Sequence, residues 1–352
     1  MIKRFTSDNY NMAFNDKTGT MVRLGANADD DPKYCEFGPE ILDIEISAGG
    51  DCMGMCPFCY KANGGDTPTH NMTFEQFRTI LSKMNKDVLC QMALGIMDIK
   101  TNPDFFDMMR HARSEGVIPN YTTHGLDMTP RFAKWSADVC GCVSVSVVDF
   151  KATLSAVHTL KTNGMGQVNI HYMLSEETLD GAFKLIESAK NEVRLRDLHA
   201  IVFLQYKAKG RGLGRYTTLR DPKQYQDLMA AAEKAGVAVG MDSCSAPMYM
   251  KAIVENSKNA KDILPMVEPC ESGLFSSYIN CKGMFFPCSF MEGEGNWTEG
   301  LDVLNCGNFT TDIWMNPRVV EWRNGLITPP ECDCSLREKC RICPMYKELR
   351  CL

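Results

Sequence analysis

The 352-residue sequence has no long apolar run, no apolar segment near its start and no excess of basic residues. A membrane-spanning helix needs about 20 consecutive apolar residues, so the first absence argues against a membrane protein. The opening stretch, Met1–Asp8, has no apolar core, which argues against a signal peptide. A net charge of -6 argues against general nucleic-acid binding. We therefore expect a cytoplasmic protein that binds neither a membrane nor nucleic acid.

Cysteine, by contrast, is abundant, with 17 residues. Because we find no export signal, we expect these cysteines to be metal ligands and free thiols in a reducing cytosol rather than disulfides. The length predicts one large domain and a smaller one, and a hydrophobic content of 44% is enough for a sizeable core.

The chain divides into three segments. Residues 1–37 predict a β-hairpin extension, with Asn15–Gly19 as its turn. Residues 38–245 alternate between strand-like and helix-like patterns, which predicts an α/β fold with a parallel sheet. Residues 246–352 form a small segment that is rich in cysteine.

Within the middle segment, hydrophobic periodicity predicts seven strands separated by helices. The strands cover residues 41–47, 88–95, 117–122, 142–148, 167–174, 199–206 and 237–242. One helix is predicted to begin at the capping box of Thr73 and Gln76, and another at Asp221–Pro222. In parallel α/β folds the chemistry lies at the carboxyl ends of the strands.

Three cysteines follow the first of these strands. Cys52, Cys56 and Cys59 have the spacing C-x3-C-x2-C. Thiolates this close on one loop can converge on a soft metal centre, and three of them on a four-iron cube leave one iron open to a small molecule. Structural zinc normally takes four ligands, and no obvious fourth lies nearby. A chance group of core cysteines is the other alternative.

This spacing resembles the cluster motif of the radical S-adenosylmethionine (radical SAM) enzymes, and Phe58 stands where that family carries an aromatic residue. The resemblance covers about residues 40–350. It implies a partial (β/α)6 TIM-type barrel over residues 38–245, a [4Fe-4S] cluster on the three cysteines, and S-adenosylmethionine bound to the open iron.

Further cofactor contacts are implied by position. Asp98 falls where the family carries the Glu of a Gly-Gly-Glu motif, and its carboxylate can pair with the ammonium of the cofactor. Thr123 and His124 match the Thr-Asn that precedes a glycine after the third strand, with His in place of Asn. Ser146 matches a serine after the fourth strand. The alternatives are a helix-entry Asp and a structural His.

The sixth predicted strand ends in a basic, glycine-containing turn. Gln205 and Arg211 belong to this turn, which resembles the strand-to-Gly-Arg turn of peptide-modifying radical SAM enzymes. Its positive charge fits a carboxylate of the cofactor or of an acidic peptide. The alternative is a solvated basic loop.

The last segment carries two groups of cysteines that together resemble the SPASM extension of the same family. The first group, Cys270 to Cys288, has the pattern C-x12-G-x4-C, with Cys281 as an extra cysteine. The second group is Cys332-x-Cys334-x5-Cys340-x2-Cys343-x7-Cys351. It departs from the family pattern, which has C-x2-C first and x3 between the later cysteines.

The resemblance implies one or two auxiliary [4Fe-4S] clusters. One would take Cys270, Cys288 and Cys343, with Cys281 as a candidate fourth ligand. The other would take Cys332 or Cys334, or both, together with Cys340 and Cys351. Zinc uses similar knuckles, so a zinc ribbon over Cys332–Cys343 is the alternative.

Cys244 lies near the predicted junction between the barrel and the extension. We assign it a catalytic role, as hydrogen donor to a substrate radical, with cluster ligation as the other interpretation.

The implied function is reductive cleavage of S-adenosylmethionine to a 5′-deoxyadenosyl radical, followed by hydrogen abstraction from a ribosomal peptide or protein. The product would be an oxidative modification such as a crosslink or thioether, and flavodoxin or ferredoxin would supply electrons. One alternative is a sulfatase-type maturase or a small-molecule radical SAM dehydrogenase. A non-catalytic iron–sulfur or zinc protein is an alternative of another class.

Overall fold

A computed structural model of the chain describes residues 2–27, 30–257 and 259–350. The predicted ligand Cys351 lies outside these residues. The strands are β1 (Ile2–Thr6), β2 (Asn11–Asn15), β3 (Met21–Leu24), β4 (Ile41–Glu45), β5 (Ser47–Ala48), β6 (His70–Asn71), β7 (Gln91–Gly95), β8 (Ile118–Thr123), β9 (Cys142–Ser146), β10 (Gln167–Leu174), β11 (Ala200–Gln205), β12 (Val239–Met241), β13 (Ser276–Ile279), β14 (Met284–Phe286) and β15 (Leu301–Asp302).

The α-helices follow the strands of the middle segment closely. They are α1 (Phe74–Lys83), α2 (Phe105–Ser114), α3 (Pro130–Val139), α4 (Phe150–Thr162), α5 (Leu179–Asn191), α6 (Pro222–Ala235), α7 (Ala246–Asn256), α8 (Ala260–Ile263) and α9 (Pro317–Ile327). A π-helical stretch covers Phe309–Trp314, and short 3-10 turns cover Val193–Leu195, Gly210–Gly212, Leu264–Met266, Ser289–Met291 and Lys347–Leu349.

Within the described part of the chain, ten strands form one sheet in the order β12-β11-β10-β9-β8-β7-β4-β13-β14-β15. β5 and β6 form a separate antiparallel pair. In the main sheet, β4, β7, β8, β9, β10, β11 and β12 are parallel, and each lies beside the one before it. Crossovers between parallel strands are right-handed, so a steady advance in one direction places α1 to α6 on the same face. The other face is then interior, as in a barrel. The six β/α units from β4 to α6 form the predicted partial (β/α)6 barrel.

Side chains alternate between these two faces. Leu42 and Ile44 of β4 are buried in the core beneath the helices. Asp43 and Glu45 point to the opposite face, because successive residues of a strand alternate. The same register places Ser146 of β9 opposite His171 of β10 on the interior face. The interior therefore carries polar groups, whereas the helix-covered face is apolar.

The strand predictions for the middle segment are confirmed, since each of the seven predicted ranges overlaps a parallel strand of the sheet. The predicted hairpin is confirmed as well, because β2 pairs antiparallel with β3. The capping box is present: Thr73 Oγ1 accepts from the amide of Gln76, whose side chain accepts from the amide of Thr73. Asp221 caps α6 by accepting from the amide of Lys223 at 2.9 Å.

The cysteine-rich segment continues the same sheet. β13 pairs in parallel with β4, and β14 and β15 add antiparallel strands beyond it. The indole of Trp314 donates to the carbonyl oxygen of Cys35 at 2.7 Å, which ties this segment to the start of the chain. The division at residues 245 and 246 stays a prediction. In the described ranges, no helix is both long enough and apolar enough to cross a membrane.

Candidate metal centre and cofactor site

The loop with the first three cysteines leaves the sheet between β5 and β6, just beyond the carboxyl end of β4. Gly49 begins the loop with φ of 122°, and a Cβ there would lie 2.4 Å from the carbonyl oxygen of Pro68. Its amide donates to Asn63 Oδ1 at 3.0 Å, and its carbonyl accepts from the amide of Gly64 at 2.8 Å. The loop is therefore closed on itself by backbone contacts that only glycine permits at position 49.

The three thiols of this loop share one site. Burial, together with the neighbouring thiols of Cys59 and Cys52, raises the pKa of Cys56 to about 11. The amides of Gly54 and Met55 lower the pKa of Cys52, against the larger effect of burial, which raises it. Such amide donors stabilise the thiolate form that binds iron. The donor set of three converging thiols thus fits a four-iron cluster with one open iron.

Arg211 holds this loop from the other side of the barrel. Its Nη1 donates to the carbonyl oxygen of Cys56 at 2.9 Å, and its Nη2 donates to the carbonyl of Asn63. The amide of Arg211 donates to the carbonyl oxygen of Cys59 at 2.9 Å. The basic side chain that the sequence assigned to a carboxylate is thus engaged with backbone carbonyls, and the guanidinium positions the cysteine loop. A direct cofactor contact stays a prediction.

Asp98 and His124 form a buried pair next to Cys52. Nδ1 of His124 accepts from the amide of Leu126 at 3.0 Å, so its proton is on Nε2. Nε2 donates to Asp98 Oδ1 at 2.5 Å, and the amide of Met53 donates to the same oxygen at 3.1 Å. Both bonds fall on Oδ1, so Oδ2 is the oxygen that can accept from a cofactor ammonium.

The pair and the first cysteine are close enough to hold a small metal ion. One ligand atom each from Cys52, Asp98 and His124 lies within 4.8 Å of the other two. Gly54 makes room for the imidazole, because a Cβ there would lie 3.0 Å from His124 Cδ2. Cys52 and Asp98 also line an open cavity of about 650 Å³ on this side of the loop.

The other predicted cofactor residues occupy different settings. Gly212 packs against the backbone of Phe58. A Cβ at position 212 would lie 3.3 Å from the Cα of Phe58. Thr123 Oγ1 accepts from the amide of Gly125 at 3.0 Å, which shapes the turn after β8. Ser146 ends β9 on the interior face. These three residues stay predictions as cofactor contacts.

Gln205 is engaged within the protein. Its Nε2 donates to the carbonyl oxygen of Leu219 at 3.3 Å, and its Oε1 accepts from the hydroxyl of Tyr225. Both ends of the amide are therefore used in fixing the end of β11. The geometry gives no support to the predicted cofactor contact of Gln205, which stays a prediction.

A second group of thiols lies between the last strands of the barrel and the cysteine-rich segment. It consists of Cys244, Cys270, Cys288 and Cys343. Burial raises the pKa of Cys270 well above its usual value, and the thiols of the other three members raise it further. Burial likewise raises the pKa of Cys244 to about 12, with Cys288 and Cys343 adding to the shift. Each sulfur thus lies within electrostatic reach of the others.

A buried cation, the ammonium of Lys207, lies next to this group. The Lys207 ammonium lies 3.2 Å from Asp242 Oδ2 and 4.4 Å from the ring centroid of Phe290. Burial alone would lower the pKa of Lys207, but Cys244 and Asp242 outweigh it and raise the pKa. Lys207 is therefore charged, and its charge favours thiolates at this site.

Cys281 lies elsewhere, although the sequence offered it as a fourth ligand of this group. Burial raises its pKa to about 12, and the next contribution comes from Glu45. Lys61 lies 3.2 Å from Glu45 Oε2 and forms an ion pair with Glu292. Cys281 thus belongs to a polar network on the interior face, and its assignment as a ligand stays a prediction without support from the geometry.

The remaining predicted ligands of the described chain, Cys332, Cys334 and Cys340, line one cavity. This space of about 430 Å³ is also lined by Cys343 of the previous group, and α7 closes it with Pro247 and Met250. Three or four thiols around one cavity fit a second cluster, and they also fit zinc. The identity of the metal stays a prediction.

The sequence analysis missed the charged network on the interior face. Burial raises the pKa of Glu45, and Lys61 opposes that effect. Burial alone raises the pKa of Asp43 to about 6. The alternation of acidic and apolar residues in β4 could have indicated this network. The same alternation is also typical of a strand with one face exposed to solvent, so it does not predict a buried network.

Comparison with known proteins shows which fold this is. No protein-family model and no curated protein sequence matches the chain. The structure of Streptococcus suis SuiB bound to S-adenosylmethionine is similar, with a TM-score of 0.73 and 11% identity over 97% of this chain and 93% of that chain. SuiB bound to the precursor peptide SuiA gives a TM-score of 0.72 at the same identity and coverage.

A third similar structure is native anSMEcpe with bound AdoMet and the Cp18Cys peptide. Its TM-score is 0.60 and its identity 15%, over 86% of this chain and 88% of that chain. The chain therefore has the overall fold of SuiB and anSMEcpe along most of its length.

Proposed function

We propose that this chain is a radical SAM enzyme that modifies a peptide or protein oxidatively. The observation that carries the proposal is the convergence of Cys52, Cys56 and Cys59 on one loop at the carboxyl end of the first barrel strand. Two proteins that share this fold were crystallised with S-adenosylmethionine and with a peptide, which supports the same ligands here.

The cofactors follow from the donor sets. Cys52, Cys56 and Cys59 would hold a [4Fe-4S] cluster, and the auxiliary thiols would hold one or two more. When bound, the first cluster supplies the electron that cleaves S-adenosylmethionine to methionine and a 5′-deoxyadenosyl radical, which takes a hydrogen atom from the substrate.

The chain's own residues would bind the cofactor and orient the loop that carries the three cysteines. Asp98 presents Oδ2 to the cofactor ammonium, while its Oδ1 holds the cluster loop through the Met53 amide. His124 fixes the carboxylate by its bond to the same Oδ1. Arg211 clamps the loop through the carbonyls of Cys56 and Asn63. Preorganised contacts of this kind keep the reacting groups in place without reorganisation during the reaction.

The substrate would lie against the polar interior face. Asp43, Glu45 and His171 lie on this face, and Lys61 reaches it from the cluster loop. The cysteine-rich segment extends the same sheet through β13, which places the auxiliary thiols at the side of this space. Polar and charged groups suit a peptide backbone, which brings its own donors and acceptors.

Electron paramagnetic resonance tests cofactor binding. Addition of S-adenosylmethionine to the anaerobically reconstituted, reduced protein should change the signal of the first cluster. The variant Cys52→Ala/Cys56→Ala/Cys59→Ala should show no such change, whereas Cys140→Ser, which removes a thiol outside the proposed centres, should behave as the wild type. An unchanged spectrum in wild-type protein that holds the first cluster would overturn the proposal.

A further inference from the structure

We propose that Cys244 is the fourth protein ligand of the auxiliary four-iron cluster held by Cys270, Cys288 and Cys343. This assignment rests on the proposed function, because it requires an iron–sulfur cluster in the cysteine-rich segment. It replaces the catalytic role that the sequence assigned to Cys244, and it leaves Cys281 outside the cluster.

The turn that carries Cys244 lies at the carboxyl end of β12, the last parallel strand. Asp242 Oδ1 accepts from the Ser245 amide at 3.1 Å and from its hydroxyl at 2.6 Å, which fixes the turn on both sides of the cysteine. Asp242 Oδ2 binds the Lys207 ammonium at 3.2 Å. The position of Cys244 is therefore set by a closed network rather than by a free loop.

Lys207 connects this turn to Cys288. Its ammonium lowers the pKa of the Cys244 thiol and lies 4.4 Å from the ring centroid of Phe290, two residues beyond Cys288. Phe290 in turn meets the ring of Tyr346 edge-on, with centroids 5.9 Å apart. Lys207, Phe290 and Tyr346 thus form a chain of contacts between the turn of Cys244 and the segment of Cys343.

The other three cysteines meet at the same place from separate segments. The amide of Tyr346 donates to Cys343 Sγ at 3.5 Å. Arg341 Nη1 donates to the carbonyl oxygen of Cys270 at 3.1 Å, which joins the segment of Cys343 to Cys270. The mutual effects of the four thiols on their pKa values agree with this convergence.

Polar groups next to the four sulfurs favour their thiolate forms. Backbone amides lower the pKa values of three of them: the amide of Ser272 acts on Cys270, those of Phe290 and Met291 act on Cys288, and those of Met345 and Tyr346 act on Cys343. The Lys207 ammonium lowers the pKa of Cys244. Donors to the sulfurs stabilise thiolate ligation and tune the cluster potential.

Cys281 has a different environment. The charged groups that act on its thiol are Glu45, Lys61 and Glu292, which belong to the interior network. A thiolate beside the carboxylate of Glu45 would be repelled, so this position disfavours a ligand. Of Cys244 and Cys281, Cys244 is therefore the one whose thiol interacts with the other three.

Complete ligation has a consequence for the substrate. A four-iron cluster with four cysteine ligands has no iron left for a substrate atom. The peptide would therefore approach this centre without binding to it.

The experiment starts from the variant Cys52→Ala/Cys56→Ala/Cys59→Ala, which retains only auxiliary iron. Cys244→Ala, Cys244→Ser and Cys281→Ala are each added to it, and all are reconstituted anaerobically with ⁵⁷Fe and sulfide. Iron per chain, Mössbauer spectra and the paramagnetic signal after mild ferricyanide oxidation are then measured. A three-ligand four-iron cluster loses its unique iron on oxidation, whereas a four-ligand cluster keeps it.

We expect Cys244→Ala to yield a [3Fe-4S] signal from one cluster or to lose about four irons per chain. Addition of 2-mercaptoethanol during reconstitution should reverse the conversion by supplying the missing thiolate. Cys281→Ala should match its parent. Cys244→Ser preserves the size of the side chain, so it should fold as the parent and show an altered four-iron spectrum.

A parent-like spectrum in Cys244→Ser, or conversion in Cys281→Ala, would overturn the assignment. Failure of the proposed function is distinguishable, because it would appear in the wild type as a first-cluster signal that S-adenosylmethionine does not change, whereas the Cys244 assignment is judged only on the auxiliary iron of the parent variant.

Discussion

The imidazole of His124 donates from Nε2 to Oδ1 of Asp98 at 2.5 Å, and the carboxylate also accepts from the amide of Met53 at 3.1 Å. Oδ1 of Asp98 thus orders the loop of the first three cysteines, and we propose that Oδ2 accepts from the cofactor ammonium. The histidine would let a single aspartate perform both tasks, because its bond fixes the orientation of the carboxylate.

The first prediction separates these two tasks. Asn in place of Asp98 keeps an oxygen for the Met53 amide but removes the negative charge that attracts the ammonium. A hydrogen bond to a charged group is worth about 1.5–3 kcal/mol, so the dissociation constant for S-adenosylmethionine should rise at least about tenfold. Calorimetry under anaerobic conditions measures it, with iron content unchanged.

The matched control is Asp138→Asn, which removes the same charge from an exposed ion pair with Lys134. Its affinity for S-adenosylmethionine should equal that of the wild type. Equal affinities for Asp98→Asn and the wild type would show that the cofactor ammonium is bound elsewhere.

The second prediction concerns the clamp on the cysteine loop. Arg211→Ala removes the two guanidinium bonds to the carbonyls of Cys56 and Asn63. The loop should then lose order, and iron at the first centre should fall to less than about half of the wild-type content. Iron analysis after reconstitution of variants without auxiliary cysteines measures this directly.

Arg215→Ala is the control for the second prediction, because Arg215 is exposed on the same basic turn. It should retain full iron content and full affinity for S-adenosylmethionine. If instead Arg211→Ala keeps its iron but loses affinity for the cofactor, the guanidinium binds the cofactor carboxylate as the sequence analysis expected.

Much of the barrel could be predicted from the sequence, because the information is local. The strand β10 was predicted as residues 167–174 and is observed as Gln167–Leu174. Alternating apolar residues and the caps at Thr73 and Asp221 depend only on neighbours in the chain. The spacing of Cys52, Cys56 and Cys59 is local in the same way.

The contacts that cross the chain could not be predicted. Arg211 contacts the carbonyl of Cys56 because the sheet curves into a partial barrel and brings β11 near the loop after β4. The sequence near either residue does not indicate this contact. Cys281 is close in sequence to Cys288, yet the turn after β13 places it beside Glu45. Cys244 is far from Cys343 in sequence, yet the Cys343 thiol raises the pKa of Cys244, and the packing of Lys207 against Phe290 lies between their two segments.

The third prediction concerns the buried ammonium of Lys207. Lys207→Met removes a positive charge next to the auxiliary thiols and leaves Asp242 without its partner. The midpoint potential of the auxiliary centre should shift to more negative values, because a nearby cation favours the reduced cluster. Breaking a buried pair also costs about 3–5 kcal/mol of stability.

The double variant Lys207→Met/Asp242→Asn separates these effects. It should regain most of the lost stability, and the potential should return towards that of the wild type because both charges are gone. A potential that is unchanged in Lys207→Met would place the ammonium outside the influence of the centre. Protein-film voltammetry and anaerobic thermal scans give the two readouts.

The fourth prediction concerns pH. Burial lowers the pKa of His171 to about 4, with Asp242 opposing the shift. Between about pH 4 and the unfolded value of about 6.5, the unfolded chain binds more protons than the native protein. Stability should therefore fall as the pH drops through this range, by about 1.4 kcal/mol per unit from this group.

His171→Gln should remove this contribution. Between pH 7.5 and pH 5.5, the thermal midpoint of the wild type should fall by about 1–3 °C more than that of the variant, when scanned anaerobically at one rate. If the thermal midpoints of the two proteins fell equally with pH, His171 would have the same pKa in the folded and unfolded states.

The central claim is radical cleavage of S-adenosylmethionine at the first three cysteines, and the measurement that tests it is 5′-deoxyadenosine. Reconstituted protein is incubated anaerobically with S-adenosylmethionine and a strong reductant, and 5′-deoxyadenosine and methionine are quantified by mass spectrometry. The account predicts equal amounts of both from the wild type and none from Cys52→Ala/Cys56→Ala/Cys59→Ala. Absence of 5′-deoxyadenosine from wild-type protein that carries the first four-iron cluster would contradict it.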